Sequence, residues 1–176
     1  MIPICGIDPG YGGGIAFYCD KTITAVPMPK TNREIWDYLE YLKETYGNFI
    51  VFIERVQMWH GDTTGNQGKK FGITKMIGQY KSLLALIEAN RIPIVEVAPI
   101  TWQKELGLYF PKKEKQQRKN LYKRFAAKEF PTIKPTLKTA DALCLVQFGK
   151  VRCTLSGTWV KQNIINKESL TLFKAS

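Results

Sequence analysis

Histidine is nearly absent from this chain, and cysteine never pairs. His60 is the only histidine, and the four cysteines, Cys5, Cys19, Cys144 and Cys153, stand singly within or beside apolar runs. Without closely spaced Cys or His ligands, a structural zinc site is excluded. A disulfide framework is not needed either, because a chain of 176 residues buries roughly two thirds of its unfolded surface. The cysteines read as small buried hydrophobes in a reducing compartment. No stretch reaches the ~18 to 20 apolar residues of a membrane span. Met1 leads directly into an apolar run, so no signal or transit segment is expected and the expected location is cytoplasmic. Acid is scarce as well: 15 Asp and Glu against 26 Lys and Arg leave a net charge of +11. That excess favours a polyanionic partner, with a membrane surface as the other reading that charge alone allows.

Among so few acids, three occupy apolar surroundings. Ile4 to Ile7 is an apolar run ending in Asp8, followed at once by Pro9-Gly10-Tyr11-Gly12-Gly13-Gly14. Val51-Phe52-Ile53 lacks alternation, as a strand covered on both faces does, and ends in Glu54. Ala140-Asp141-Ala142-Leu143 puts a third acid at the start of an apolar helix. Burying carboxylates is costly unless charge or metal compensates them. For Asp141 a structural reading stands beside this one, since an acid in a first helical turn is favourable in itself.

The elements expected around these acids make a mixed sheet with helical cover. Ile15 to Cys19 and Thr22 to Val26 follow the first strand through tight turns. Thr31 or Asn32 caps a helix with an apolar stripe of Ile35, Trp36, Leu39 and Leu42, ended by Gly47. Phe49 to Ile53 is a strand, Arg55 to Lys70 a loop, Gly72 to Ala89 the strongest helix and Ile92 to Val97 a strand. The stripe of Ile73, Met76, Ile77, Tyr80, Leu83, Leu84 and Ile87 is core or partner surface, with no chemical role. Pro99 starts a short helix to Leu106, with Trp102 packing it on the sheet. Thr139 to Phe148 is the last compact helix, with Gly149 as its stop. The expected division is a domain over 1–150 and an appendage over 151–176 that packs on the domain or on a partner subunit. In the loop, Met58 and Trp59 are open to a stacking or wedging role at a nucleic-acid surface and equally to local packing. Near His60 nothing supplies ligand spacing.

Between Gly107 and Pro131, Lys112, Lys113, Lys115, Arg118, Lys119, Lys123, Arg124 and Lys128 face only Glu114 and Glu129 around a stripe of Leu121, Tyr122, Phe125 and Ala126. Solubility does not require that excess, and contact with a phosphate backbone explains it. Lys69-Lys70 and Lys138 add to the same surface. If ionised, Asp8, Glu54 and Asp141 form an all-oxygen set suited to Mg²⁺ or Mn²⁺, which keep water and bind substrate phosphate. Two such ions about 3.5 to 4 Å apart would activate water and stabilise a leaving 3'-oxygen in phosphodiester hydrolysis, with Asp8 bridging.

Ile7-Asp8-Pro9-Gly10 with Gly13-Gly14-Ile15-Ala16, Ile53-Glu54-Arg55-Val56, Val97-Ala98-Pro99 with Trp102, and Ala140-Asp141-Ala142-Leu143 together resemble the RuvC-type Holliday-junction resolvases, in the branch of phages and plant organelles. The resemblance covers about residues 2 to 150 in order. It implies an RNase H-like α/β fold with a mixed sheet flanked by helices. It also implies a homodimer, dependence on Mg²⁺ or Mn²⁺ with two ions per subunit, and paired nicks in four-way DNA junctions within a prokaryotic or phage-infected cell. By the same resemblance Asp8, Glu54 and Asp141 are catalytic metal ligands. The loop after Glu54 and the helix from Gly72 match the region that contacts the junction and forms much of the dimer surface, and Lys112 to Lys119 match the family's basic residues. One position departs: where the family has a fourth ligand one turn before the last Asp, this chain has Leu137 and Lys138. Asp62 approaching the site, Lys138 contacting the scissile phosphate, and a replaced ligand are the explanations left open. Three other readings remain: a sugar-kinase or actin-like ATPase, against which the length speaks, a nuclease for structured RNA, and a junction-binding protein without catalysis.

Overall fold

A computed structural model of the chain describes residues 2–56, 67–111 and 114–166, and at 67–71 the backbone alone. Met58, Trp59, His60, Asp62, Lys112 and Lys113 lie outside the described residues. The sheet is built from β1 (Ile4–Asp8), β2 (Gly14–Cys19), β3 (Thr22–Pro27), β4 (Ile50–Glu54) and β5 (Ile94–Val97), in the order β3-β2-β1-β4-β5. β1, β2 and β3 pair antiparallel, whereas β4 and β5 run parallel to β1, so the sheet is mixed.

Helices cover both faces, which is why β1 and β4 are apolar without alternation. Side chains nevertheless alternate between two cores. Cys5, Ile7, Val51 and Ile53 pack with α1 (Asn32–Tyr46) and α2 (Gln67–Ala89). Ile4, Phe52 and Val95 pack on the other face with α3 (Pro99–Glu105), α4 (Lys115–Glu129), α5 (Ala140–Leu155) and α6 (Gly157–Asn163). That period of two assigns Asp8 and Glu54 to the α5 face, in line with Ile4 and Phe52. Because Ile7 pairs with Ile53, the acids that follow leave neighbouring parallel strands at one level.

α1 starts as expected: Thr31 Oγ1 accepts from the Glu34 N–H, Glu34 accepts from the Thr31 N–H, and Gly47 ends the helix at φ +76°. Three boundaries differ from expectation by two residues or more. β5 begins at Ile94 rather than Ile92, because Pro93 has no N–H for the ladder. α2 begins at Gln67 rather than Gly72, so Lys69 and Lys70 belong to a helix and not to the loop. Gly68 and Gly72 lower the helix propensity of its first two turns, which is why the pattern reads as starting later.

Gly149 does not stop α5, which continues to Leu155. A Cβ on Gly149 would lie 2.8 Å from Phe52 Cδ2 and 2.9 Å from Ile4 Cγ2, so this glycine is required for close approach to the sheet. Gly6 does the same from β1, where a Cβ would stand 2.2 Å from the Ala142 carbonyl oxygen and 2.9 Å from the Val146 nitrogen. With glycines at both contacts, α5 lies directly on β1 and β4.

Residues after 150 add to this core. Trp159 meets Phe148 edge to face, and Arg152 pairs with Glu105. Val160 and Ile164 are buried, and Ile164 bridges Val95 at the outer edge of β5. Among the described residues no helix is long and apolar enough to cross a membrane, and the four cysteines are free.

Candidate metal and nucleic-acid site

Each acid is delivered by a rigid element. Asp8 ends β1 and is 8% exposed, Glu54 ends β4, and Asp141 sits in the first turn of α5 at 6% exposed. The turn after Asp8 folds back on it: the Gly13 N–H donates to the Gly10 carbonyl, and a Cβ on Gly13 would lie 2.0 Å from the Asp8 carbonyl oxygen. Only glycine fits there, which leaves bare backbone beside the carboxylate. All three acids line one cavity of about 690 Å³, whose rim includes Gly10 to Gly13, Arg55, Lys75, Met76, Gln79, Lys115 and Lys119.

Two side chains hold the carboxylates. Trp102, fully buried and brought in by Pro99 at the start of α3, donates its indole N–H to Glu54 Oε2 at 2.8 Å. It packs the helix on the sheet as expected and also orients an acid, a role its sequence context did not signal. Lys119 reaches from α4 into the site, with Nζ 2.7 Å from Asp141 Oδ2 and 3.3 Å from Asp8 Oδ2. The other Asp141 oxygen, Oδ1, is buried without a hydrogen-bond partner.

The electrostatics follow from this crowding. Burial first, and the Asp141 charge second, push Asp8 up to about 6 against the pull of Lys119. Burial, then Asp8, push Glu54 up to about 8, opposed by the Trp102 N–H. Asp141 is raised by burial, with Lys119 acting against it. Burial disfavours the Lys119 ammonium, but the charges of Asp8 and Asp141 outweigh it and its pKa rises. A carboxyl group with a raised pKa in the folded state binds its proton more tightly there than in the unfolded chain. Its stabilising effect is complete below the ordinary carboxylate range and is lost as pH climbs through the folded value. Metal-free protein therefore loses stability as pH rises through about 6 and on to about 8, and Glu54→Gln removes most of the upper part of that slope. Denaturant melts across this range check it, and identical wild-type and variant slopes would contradict it.

Among the described residues no three His, Cys, Asp or Glu side chains close tightly enough to enclose an ion, and Lys119 pairs with both Asp8 and Asp141. The donor chemistry still fits Mg²⁺ or Mn²⁺. Three carboxylates open onto one cavity, and Asp141 offers an unpartnered buried oxygen toward hard cations that take oxygen ligands.

The basic residues separate by position. Lys115 is exposed at the cavity rim and Arg118 is half-buried, while Lys119 points inward to the acids. Lys123 and Arg124 line a separate shallow groove on α4. Leu137 and Lys138 are exposed in the turn before α5 and are not among the described residues that line the cavity. Lys69 and Lys70 are placed by backbone alone, in the first turns of α2. Sequence reasoning missed Tyr11, 58% exposed at the rim with the Lys75 ammonium 4.7 Å from its ring centroid. Met76, taken as core or partner surface, also lines the cavity.

No family model matches the chain, and no curated protein matches it. Solved structures do share its architecture. T. thermophilus RuvC in complex with Holliday junction substrate aligns with a TM-score of 0.56 at 13% identity, covering 89% of this chain and 97% of that chain. A second Thermus thermophilus RuvC structure aligns with a TM-score of 0.53 at 15% identity, covering 88% of this chain and 96% of that one. At such identities the likeness establishes the fold: this chain has a mixed five-stranded sheet flanked by helices, the RNase H-like α/β fold of RuvC.

Proposed function

We propose that this protein is a homodimeric, metal-dependent endonuclease that resolves four-way DNA junctions by paired nicks, of the kind found in phages and plant organelles. The observation that carries the proposal is the convergence of Asp8, Glu54 and Asp141 on one cavity with Lys115 at its rim, within a RuvC fold. One of the RuvC structures that shares this fold holds a Holliday junction substrate, which supports branched DNA as the ligand. The net charge of +11 suits the same partner.

Asp8, Glu54 and Asp141 would hold Mg²⁺ or Mn²⁺, which supplies the positive charge that activates water and stabilises the leaving 3'-oxygen. The protein's own groups do the positioning. The Trp102 N–H keeps Glu54 turned toward the cavity. The glycine turn presents side-chain-free backbone next to Asp8, so a sugar-phosphate strand can come close. Lys115 and Arg118 offset the repulsion between three carboxylates and an incoming phosphate. Two copies are needed because the nicks fall in opposing strands.

A cleavage assay on labelled four-way junction, three-way junction, linear duplex and structured RNA, each with Mg²⁺, Mn²⁺ or EDTA, tests the proposal. Symmetric nicks in the four-way junction that vanish in EDTA support it. Binding without cutting in either metal favours a junction-binding protein, and preferential RNA cleavage keeps the chemistry but replaces the substrate. Lys115→Gln combined with Arg118→Gln weakens junction binding and lowers the salt slope by about two. An unchanged slope would remove α4 from the nucleic-acid path.

A further inference from the structure

A lysine inside a cluster of acids is itself a cation in a cation site. Lys119 Nζ lies 2.7 Å from Asp141 and 3.3 Å from Asp8, and its side chain is only 24% exposed. It is not a surface lysine that has swung inward by chance. Tyr122 and Ala126, three and seven residues further along α4, are both buried, so Lys119 shares the helix face that packs against α5. We propose that the Lys119 ammonium is the built-in cation of the Asp8–Asp141 pair, so that each chain holds one divalent ion and Lys119 takes the place of a second. This inference rests on the metal-dependent reading of the site.

Charge balance favours one ion. Asp8, Glu54 and Asp141 are the only acids among the described residues lining the cavity. One divalent ion and one ammonium match the three carboxylates in charge, and Arg55, Lys75 and Lys115 on the same cavity add further positive charge. A second divalent ion would leave an excess of positive charge and would have to sit against the ammonium, which repels it. The oxygens are divided in the same sense: Lys119 takes Asp141 Oδ2, while Oδ1 is buried without a hydrogen-bond partner. Lys119 therefore also stabilises the metal-free site, by keeping the two acids from facing each other uncompensated.

Counting Mn²⁺ on the metal-stripped full chain without DNA, by calorimetric titration and by electron paramagnetic resonance, tests the proposal. The wild type is expected to take one ion per chain, Lys119→Arg one, and Lys119→Met two, because removing the ammonium opens the Asp8–Asp141 pair. Two ions on the wild type, or one on a folded Lys119→Met, would overturn it. If a thermal melt shows that Lys119→Met does not fold, the wild-type and Lys119→Arg counts decide alone. Wild type that binds no Mn²⁺ would overturn the metal-dependent reading as well, whereas two ions would overturn only the single-ion inference.

Discussion

Asp8→Asn is expected to slow junction cleavage by about a thousandfold or more while leaving junction affinity within about threefold of wild type. Asp8 ends the central strand β1, pairs with Lys119 and shares the cavity with Glu54 and Asp141. Asparagine keeps its shape and removes one negative charge, so the loss falls on the chemistry and not on the packing. Affinity depends mainly on the basic surface, which the substitution leaves in place. The variant should also be at least as stable as wild type without metal, because burial raises the Asp8 carboxyl to about 6, so that ionising it costs more in the folded chain than in the unfolded one. Single-turnover cleavage, junction binding and a metal-free melt on the same preparation separate these effects. Cutting at the wild-type rate would remove Asp8 from the site.

Gly6→Ala is expected to be strongly destabilising. The added Cβ would meet the Ala142 carbonyl oxygen at 2.2 Å and the Val146 nitrogen at 2.9 Å, both backbone atoms of α5 that no side-chain rotation relieves. Overpacking of this kind costs about 3 kcal/mol or more, a fall of roughly 6 to 12 °C in melting temperature for a chain of this size. The alternative to unfolding is that α5 lifts off β1. That movement carries Asp141 away from Asp8, so any folded variant should lose cleavage along with stability. A melting temperature within a degree of wild type would show that the helix has room to give.

Much of this arrangement was legible in the chain. The apolar runs before Asp8 and Glu54 report strands covered on both faces, and an acid closing each run marks the sheet end where a site can form. Lys119 was harder, because eight basic residues crowd 112–128 and charge alone does not say which of them faces inward. The signal was present in the spacing: Lys119, Tyr122 and Ala126 fall on one helical face, and two of the three are core residues. Gly149 misled because a glycine near a helix end resembles a stop. Its real constraint, contact with Phe52 and Ile4, involves residues 97 and 145 positions away, which local pattern cannot register. The hydrogen bond from Trp102 to Glu54 depends in the same way on how α3 is set beside β4.

The outer edge of β5 carries a consequence for assembly. Ile164 bridges Val95, the Ile165 N–H donates to the Ile94 carbonyl, and the Asn166 side chain accepts from the Ile94 N–H and donates to the Ile92 carbonyl. The backbone groups that would otherwise recruit another strand are already engaged by the chain's own C-terminal segment, the protection that exposed sheet edges need against sticking to one another. A second copy cannot join by extending the sheet at β5 without first displacing that segment. A symmetric pair that leaves it in place has to meet elsewhere, through helices, loops or the β3 side, and shortening the chain before Ile164 would free a template for uncontrolled strand addition.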